Sequence, residues 1–399
     1  MFVFHRKDLP LDAVFPADLD KLGYFINDQD QIRKKSDPDQ EFQYKINRND
    51  RWNDVQRAAM NECIRGIVLA RLRDLGLATL RLPLTSGPNR PHVPILVSKN
   101  LSTASRIILL FGEPVQDLGI WAYRTVGAEN INAGSAVDFV KAVLYPDENA
   151  NTYANSASDG TYRRLTKPQQ PQHKTQQGDV AVILANTGQL VWHCGTGKAM
   201  TLNSLLALPR ASAVDPPLAE SRRNKIPGHG NWQEHVNSVF DAILSARGQL
   251  VREDVKIDVI GLSEGGLGAV RYLGRNWPTW RKYISAMVLA TPLHTKASDL
   301  VESTAQGSFA AFMSSRCRAY TLSPEPLGFP LPISEAQLHG CNCYSSGEEL
   351  NAECIMPKAW PHMLNWLKRA YDDENFCEAQ LVVHEADGNE SALDGEGAQ

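Results

Sequence analysis

Short apolar runs alternate with helical patterns along most of the chain. Six runs, several of them apolar throughout, predict β-strands over 95–97, 106–111, 180–184, 255–260, 284–289 and 319–322. Between them, apolar positions at helical spacing predict helices over 134–145, 232–246, 265–275, 299–313 and 357–371. Continuously apolar strands are buried on both faces, and strands that alternate with helices form mostly parallel sheets. The pattern therefore predicts an α/β fold with a mostly parallel sheet covered by helices.

The N-terminal part follows a different pattern. Residues 23–26 and Ile32 flank the turn-forming segment 27–30, which predicts a hairpin. Asn49 or Asp50 can cap a long helix that ends at 75–76. Its apolar positions recur every three or four residues: Trp52, Val55, Ala59, Cys63, Ile67 and Ala70. We therefore expect a hairpin-plus-helix elaboration before the sheet.

Three segments depart from this organisation. Residues 146–178 are rich in Asn, Ser, Gln and Pro, which predicts a low-complexity surface insertion. Residues 209–230 contain four prolines and predict a long irregular loop. Residues 385–399 carry five acidic and no basic side chains, which is typical of a disordered acidic tail. Because we find no internal repeat, we interpret residues 1–384 as one domain.

Composition and charge narrow the classes of function. The 399 residues include 43% hydrophobic residues, and 41 basic against 45 acidic side chains give a formal charge of -4. This balance gives no sign of the basic face or basic run that proteins binding the phosphate backbone of a nucleic acid usually carry. No apolar run approaches the roughly 20 residues of a membrane-spanning helix, so we expect no membrane contact. Seven scattered cysteines are typical of reduced thiols in the cytosol or nucleus.

One motif points to specific chemistry. The strand 255–260 runs directly into Gly261, Leu262, Ser263, Glu264, Gly265 and Gly266, and a helical pattern follows. This is G-x-S-x-G in the strand–turn–helix setting of a nucleophile elbow, in which Gly261, Gly265 and Gly266 allow a very tight turn. Ser263 would then stand exposed at the carboxyl edge of the sheet. The alternative is an ordinary glycine-rich turn between a strand and a helix.

An elbow serine also needs donors for an oxyanion. The amide of Glu264 lies at the start of the following helix, where the helix dipole favours negative charge. The second amide normally comes from the loop after an earlier strand, and Gly112 follows the strand 106–111. We therefore predict that Gly112 and Glu264 occupy the oxyanion side of the site; the alternative for Gly112 is an ordinary turn that ends its strand.

The serine also needs a base and an acid, which the sequence supplies poorly. Glu325 is the acid candidate that follows the last predicted strand. The loop 345–356, where an α/β-hydrolase would carry its histidine, contains none, and His362 in the terminal helix is a displaced candidate. Losing the histidine of a serine hydrolase lowers kcat by roughly 10⁶-fold. We therefore expect Ser263 to be vestigial.

No metal or cofactor site is predicted. Cys341, Cys343 and Cys354 lack a suitably spaced fourth ligand for zinc, so they are interpreted as buried free thiols. Residues 195–198 contain Gly-x-Gly-Lys but depart from the spacing of a phosphate-binding loop.

Five short blocks together resemble a known family, the Arb-type domain named after Argonaute-binding protein two. They are Leu22–Asn27, Gly134–Ser135, Gly261–Gly266, Ser323–Leu327 and Tyr344–Gly347. The resemblance covers about residues 15–372. It implies an α/β-hydrolase-like three-layer sandwich. In members with a triad-like set, the aspartate corresponds to Gly328 and the histidine to Ala352, so two of three residues are missing here and a pseudoenzyme is implied.

The same resemblance implies a biological setting. It points to an Argonaute chaperone complex that holds small RNA, acting in small-RNA-directed heterochromatin silencing in nucleus and cytoplasm. The acidic charge balance indicates that any contact with RNA is indirect, through a partner protein. Two alternatives stay open: a serine esterase that uses Ser263 with Glu325 and His362, and a protein that binds RNA directly.

Overall fold

A computed structural model describes residues 9–146, 179–300 and 307–379 of the chain. The predicted insertion, apart from its first residue Pro146, and the predicted acidic tail lie outside these ranges.

Eight strands form one sheet: β3 (Leu77–Leu82), β4 (Val93–Ser98), β5 (Arg106–Phe111), β6 (Val180–Ala185), β9 (Lys256–Leu262), β10 (Ile284–Ala290), β11 (Cys317–Thr321) and β12 (Asn342–Ser345). Their order in the sheet is β12-β11-β10-β9-β5-β6-β4-β3. All neighbouring pairs from β12 to β6 are parallel, and β4 is antiparallel to both of its neighbours. The sequence prediction of an α/β fold with a mostly parallel sheet is confirmed.

Helices cover both faces of the sheet. They are α1 (Asp50–Asp74), α2 (Tyr123–Ala128), α3 (Val137–Leu144), α4 (Leu202–Ala207), α5 (Trp232–Ser238), α6 (Ser263–Trp280), α7 (Lys296–Asp299), α8 (Phe309–Arg316), α9 (Ile333–His339) and α10 (Ile355–Asp372). Along β5, Ile108 and Leu110 join the core formed with α1, α3 and α10. The alternate residues Ile107 and Leu109 join the core formed with α5, α6 and α8. The fold is therefore the expected three-layer sandwich.

The N-terminal elaboration also has the predicted form. Strands β1 (Tyr24–Ile26) and β2 (Ile32–Lys34) pair antiparallel, and α1 follows. The Asn49 side chain caps α1 by accepting a hydrogen bond from the Arg51 amide at 3.0 Å. Tyr24, Ile32 and several α1 residues lie in the same core as α3 and α10. The hairpin and long helix thus complete one layer of the sandwich.

The structure differs from the predicted elements mainly where elements are short. The strand β3, the strand pair β7 (Val191–His193) and β8 (Lys198–Met200), the strand β12 and the helices α2, α4 and α9 were not predicted. Each has three to seven residues, too few to display a clear period. The predicted helix 299–313 is replaced by α7 and α8, with residues 301–306 outside the description. The loop 209–230 is irregular as expected, apart from a 3₁₀ turn at Arg222–Asn224.

Candidate functional site

The polypeptide turns sharply between β9 and α6 at Ser263. Leu262 is extended, with φ of -105°, and Ser263, the first residue of α6, has φ of +46°. A positive φ is unfavourable for a residue with a side chain and persists only where the surrounding structure imposes it. Ser263 therefore has the strained backbone expected of a nucleophile elbow.

The glycines beside Ser263 are required by close backbone contacts. A Cβ on Gly261 would lie 2.3 Å from the Gly266 Cα, and a Cβ on Gly265 would lie 2.4 Å from the Gly112 carbonyl oxygen. Real Cβ atoms do not approach backbone this closely. The spacing of Gly261, Gly265 and Gly266 thus reflects the packing of α6 against β9 and the end of β5.

The hydroxyl of Ser263 is held by a carboxylate. Ser263 Oγ donates a hydrogen bond to Glu113 Oε1 at 3.1 Å. The sheet register explains the pairing, because Phe111 of β5 lies opposite Gly261 of β9, and each polar residue follows two positions later. The sequence did not lead us to assign Glu113 to the site. The position of Glu113 directly after β5 indicates a place beside Ser263 only when β5 and β9 are known to be neighbours.

The electrostatics around Glu113 oppose an oxyanion. Burial raises the pKa of Glu113, the Ser263 hydrogen bond lowers it, and the charges of Glu264 and Glu353 raise it further. In a serine hydrolase the oxyanion forms on the substrate carbonyl bonded to the serine, so here it would develop near the Glu113 carboxyl group, which carries a like charge when it is ionised. Two like charges ~4 Å apart repel by about 4 kcal/mol at an effective dielectric constant of about 20. The place where hydrolases concentrate hydrogen-bond donors therefore holds a carboxyl group here.

The predicted oxyanion residues lie beside the elbow. The Gly112 carbonyl accepts a hydrogen bond from Thr187 Oγ1 at 2.6 Å, and its oxygen faces Gly265. Glu264 lies in the first turn of α6, and its charge acts on Glu113. The roles assigned to the Gly112 and Glu264 amides stay predictions, and their surroundings are more acidic than the sequence indicated.

The candidate acid and base are not joined to Ser263. Glu325 is exposed, and its backbone carbonyl accepts a hydrogen bond from Ser345 Oγ at 2.6 Å. His362 lies in α10, where its Nδ1 is 2.7 Å from the hydroxyl of the fully buried Tyr320. Burial lowers the pKa of His362, and the nearby Arg318 lowers it further. No hydrogen bond links Ser263, Glu325 and His362 in the described structure.

The two positions implied by the family resemblance have clear local environments. Gly328 has φ of +81°, and a Cβ there would lie 2.8 Å from His362 Nε2. An aspartate at position 328 would therefore have a strained backbone and would require the His362 ring to shift. Ala352 begins the 3₁₀ turn Ala352–Cys354 that leads into α10, and its neighbour Glu353 bonds to Arg124 at 3.3 Å.

The other described imidazoles are engaged elsewhere. They bond to backbone, to hydroxyls or to each other: His92, His193, His229, His235, His294 and His339. None of these contacts is with Ser263. The hydroxyl at the elbow therefore has a carboxylate but no imidazole partner within residues 9–146, 179–300 and 307–379.

The structure also describes the remaining candidates for binding chemistry. Cys341, Cys343 and Cys354 are buried free thiols. Among the described residues, no cluster of three or more histidine, cysteine, aspartate or glutamate side chains is placed to hold a metal ion. Over the same residues, no helix has the length and apolar character needed to cross a membrane.

The chain is similar in sequence to a known domain family and to named regulatory proteins. A family model described as the Arb2 domain matches residues 15–327, which is most of the chain. The cotranscriptional regulator ARB2A of Homo sapiens is similar at 23% identity over 378 residues, covering 92% of this chain and 83% of that protein. Its Gallus gallus homologue is 23% identical over 385 residues, covering 93% and 84%.

Two further similarities are more limited. The cotranscriptional regulator ARB2A homologue of Xenopus tropicalis is 30% identical over 158 residues, covering 36% of this chain and 37% of that protein. Among solved structures, a histone deacetylase from Saccharomyces cerevisiae has a TM-score of 0.40 at 12% identity, covering 78% of this chain and 97% of that one.

Proposed function

The chain belongs to the Arb2 domain family, and from this premise we propose that it is a non-catalytic, α/β-hydrolase-like binding module that acts in transcription-coupled regulation in the nucleus. The observation that carries the proposal is the partner of Ser263, which is the Glu113 carboxylate. The names of the relatives as cotranscriptional regulators support the regulatory setting.

The chemical argument against catalysis is quantitative. A carboxylate is ordinarily a weaker base than an imidazole, because the ordinary pKa of Glu is about 4.3 and that of His is about 6.5. Burial raises the pKa of Glu113 from its ordinary value, but the carboxyl group does not replace the second nitrogen by which an imidazole is oriented. In a serine hydrolase, loss of the histidine alone lowers kcat by roughly 10⁶-fold, which corresponds to an activation barrier about 8 kcal/mol higher. The negative charge of Glu113 adds a further penalty to an oxyanion. In this proposal, the elbow contributes a rigid part of a binding surface, and Ser263 does not act as a nucleophile.

A finer proposal concerns the partner. We propose that the module works with Argonaute in a small-RNA chaperone complex that directs heterochromatin silencing, and that it contacts RNA through that partner. The formal charge of -4 supports indirect contact, because phosphate binding depends on clustered Lys and Arg. The family resemblance of the sequence blocks supports the Argonaute partner, and a cytoplasmic fraction of the protein is part of the same proposal.

One observation favours a second candidate function, a serine esterase. The positive φ of Ser263 is strain of the kind found at functional sites. The two functions are separated by a fluorophosphonate probe, which labels base-activated serines. For the non-catalytic module we expect equal labelling of the full-length protein and of Ser263→Ala, and no turnover of p-nitrophenyl butyrate. Labelling and turnover that require Ser263 would establish the esterase.

The partner is tested in the host cell with the tagged full-length chain. We expect Argonaute to be recovered with it after RNase treatment, and Ser263→Ala to restore silencing of a small-RNA reporter in cells that lack the protein. Small RNA recovered with the chain should disappear when Argonaute is depleted. Ultraviolet crosslinking of RNA to the chain in Argonaute-depleted cells would instead identify direct RNA binding.

A further inference from the structure

Exposed apolar side chains lie in loops at the carboxyl edge of the sheet, the same edge that carries the elbow. Val115 is 62% exposed and Leu350 is 77% exposed, and Leu293, Leu327 and Phe329 are also exposed. They come from the loops that follow β5, β10, β11 and β12. We call these five side chains, together with the carboxylates of Glu113, Glu264 and Glu353, the crest.

The loops of the crest are fixed by internal contacts. A Cβ on Gly347, in the loop after β12, would lie 3.2 Å from the Leu327 Cβ. In the same loop, the carboxylate of Glu348 accepts hydrogen bonds from the Leu350 and Asn351 amides and is paired with Lys358 at 2.6 Å. Isolated exposed apolar residues are ordinary, but a group of them on one rigid edge is typical of an interaction surface.

The carboxylates of the crest are poorly compensated. Glu353 is paired with Arg124 at 3.3 Å, on a largely exposed arginine. Over the described ranges, Glu113 and Glu264 have no ion pair, and the charge of Glu264 acts on the half-buried Glu113. A partly desolvated carboxylate without a cation is destabilised, so a cation delivered by a ligand would restore a favourable interaction.

The same charges narrow the ligand class. No described group at the crest has the three ligands of a metal site, so a metal ion is a poor candidate. Nucleic acid and anionic membranes present phosphates, which the carboxylates repel. A second copy of this chain that docked through the same surface would bring carboxylate against carboxylate. The remaining complement is an organic cation with apolar neighbours.

The geometry points to the crest as the docking surface for a partner protein segment that places a Lys or Arg side chain between Glu113 and Glu264 and covers the exposed apolar side chains with its own. This inference rests on the proposed non-catalytic function, since a docked segment occupies the space above Ser263. Burial of the apolar side chains supplies affinity, and the charge pair supplies orientation.

A random heptapeptide phage library selected on the immobilised full-length protein tests this surface. We expect enriched peptides to contain Lys or Arg beside apolar residues. For synthetic copies, fluorescence anisotropy should give at least tenfold weaker binding to the double variant Glu113→Gln/Glu264→Gln and at least fivefold weaker binding to Leu350→Ser. Peptide binding should also lower the pKa of the Glu113 carboxyl, followed by ¹³C NMR.

Matched variants at the opposite edge of the sheet serve as controls. Glu253, which precedes β9, and Leu338 of α9 are both exposed. Glu253→Gln and Leu338→Ser should change peptide binding less than twofold. Enrichment of acidic or uncharged peptides, no enrichment at all, or binding that is indifferent to the double variant would overturn the crest proposal. Those outcomes leave the non-catalytic function intact, whereas Ser263-dependent ester turnover would overturn that function independently of peptide binding.

Discussion

At the scale of single residues, the elbow joins two features that have different physical causes. The backbone of Ser263 is strained, with φ of +46°, and the glycines beside it let β9, α6 and β5 approach closely. These features belong to the packing of the fold. The chemistry belongs to the residues above the turn, where Glu113 stands in place of an imidazole. The packing that requires the elbow is therefore independent of which group accompanies the Ser263 hydroxyl.

The first prediction tests the packing role of a glycine. Gly265→Ala would place a methyl group 2.4 Å from the Gly112 carbonyl oxygen, so the end of β5 and α6 must separate. We expect the free energy of unfolding to fall by at least about 2 kcal/mol, measured by urea denaturation, because overpacking typically costs about 1–3 kcal/mol.

Gly66→Ala is its matched control. Gly66 lies in α1, and a Cβ there meets nothing within 4 Å. We expect this change to stabilise the protein by up to about 1 kcal/mol, because alanine has the higher helix propensity. Equal effects of the two changes would contradict the steric argument.

The candidate site could be predicted only in part from these residues. The G-x-S-x-G spacing located Ser263 because it depends on local chain geometry. Glu113 was missed because its pairing with Ser263 depends on β5 and β9 being neighbours, and the pairing of parallel strands is a long-range property. The steric conflict between position 328 and His362 is likewise absent from any local pattern.

At the scale of elements, a buried pair of imidazoles ties α5 to the preceding loop. His229 Nδ1 and His235 Nδ1 are 2.9 Å apart, and both residues are fully buried. The Asn186 amide donates to His235 Nε2 at 3.1 Å, so the network assigns the proton of His235 to Nδ1, which donates to His229. Both rings must therefore be neutral for this arrangement to hold.

This pair predicts a pH-dependent stability. Burial lowers the pKa of His229 to about 4, and burial followed by the charge of His229 lowers that of His235. The unfolded chain binds these protons near pH 6.5, whereas the folded protein does not. Above pH 6.5, we expect the contribution of these two histidines to the free energy of unfolding to be constant. Between pH 6.5 and 4, the free energy of unfolding should fall by up to about 1.4 kcal/mol per pH unit for each histidine.

The measurement compares urea denaturation of wild type and His229→Gln across this pH range. The variant should show a flatter dependence, whereas His193→Gln, in the turn region of β7 and β8, should run parallel to wild type. If the wild-type and His229→Gln curves run parallel, the buried pair is not the source of the acid sensitivity.

The elements themselves were predictable in proportion to their length and periodicity. The strand 106–111 and the helix over 50–74 were anticipated closely, because a buried strand and a long amphipathic helix each repeat one pattern many times. The helix predicted over 232–246 exists, but from Val239 it continues as a π-helix to Leu244, which the apolar spacing cannot distinguish. The strand β12 has four residues and is defined by its parallel partner β11.

At the scale of the whole molecule, the fold extends beyond the family match, which ends at residue 327. The strand β12 forms the edge of the sheet, and α10 contributes a row of buried side chains to the core: Met356, Ala359, Trp360, Met363, Trp366 and Leu367. Glu378 lies in the segment after α10 and holds it against the sheet and the helix, because its carboxylate accepts hydrogen bonds from Arg318 Nε at 2.7 Å and from Trp366 Nε1 at 2.6 Å.

The last prediction follows from the size of this contribution. Fully burying one large apolar side chain contributes about 1.5–3 kcal/mol, so the α10 row supplies an amount comparable to the entire net stability of about 5–15 kcal/mol of a typical domain. A chain that ends at residue 327 should therefore show no cooperative thermal transition by circular dichroism. A chain that ends at residue 384 keeps β12, α10 and Glu378, and it should unfold cooperatively with the Tm of the full chain. Cooperative unfolding of the shorter chain would mean that the match to residues 15–327 is itself an independent folding unit and that α10 only covers it.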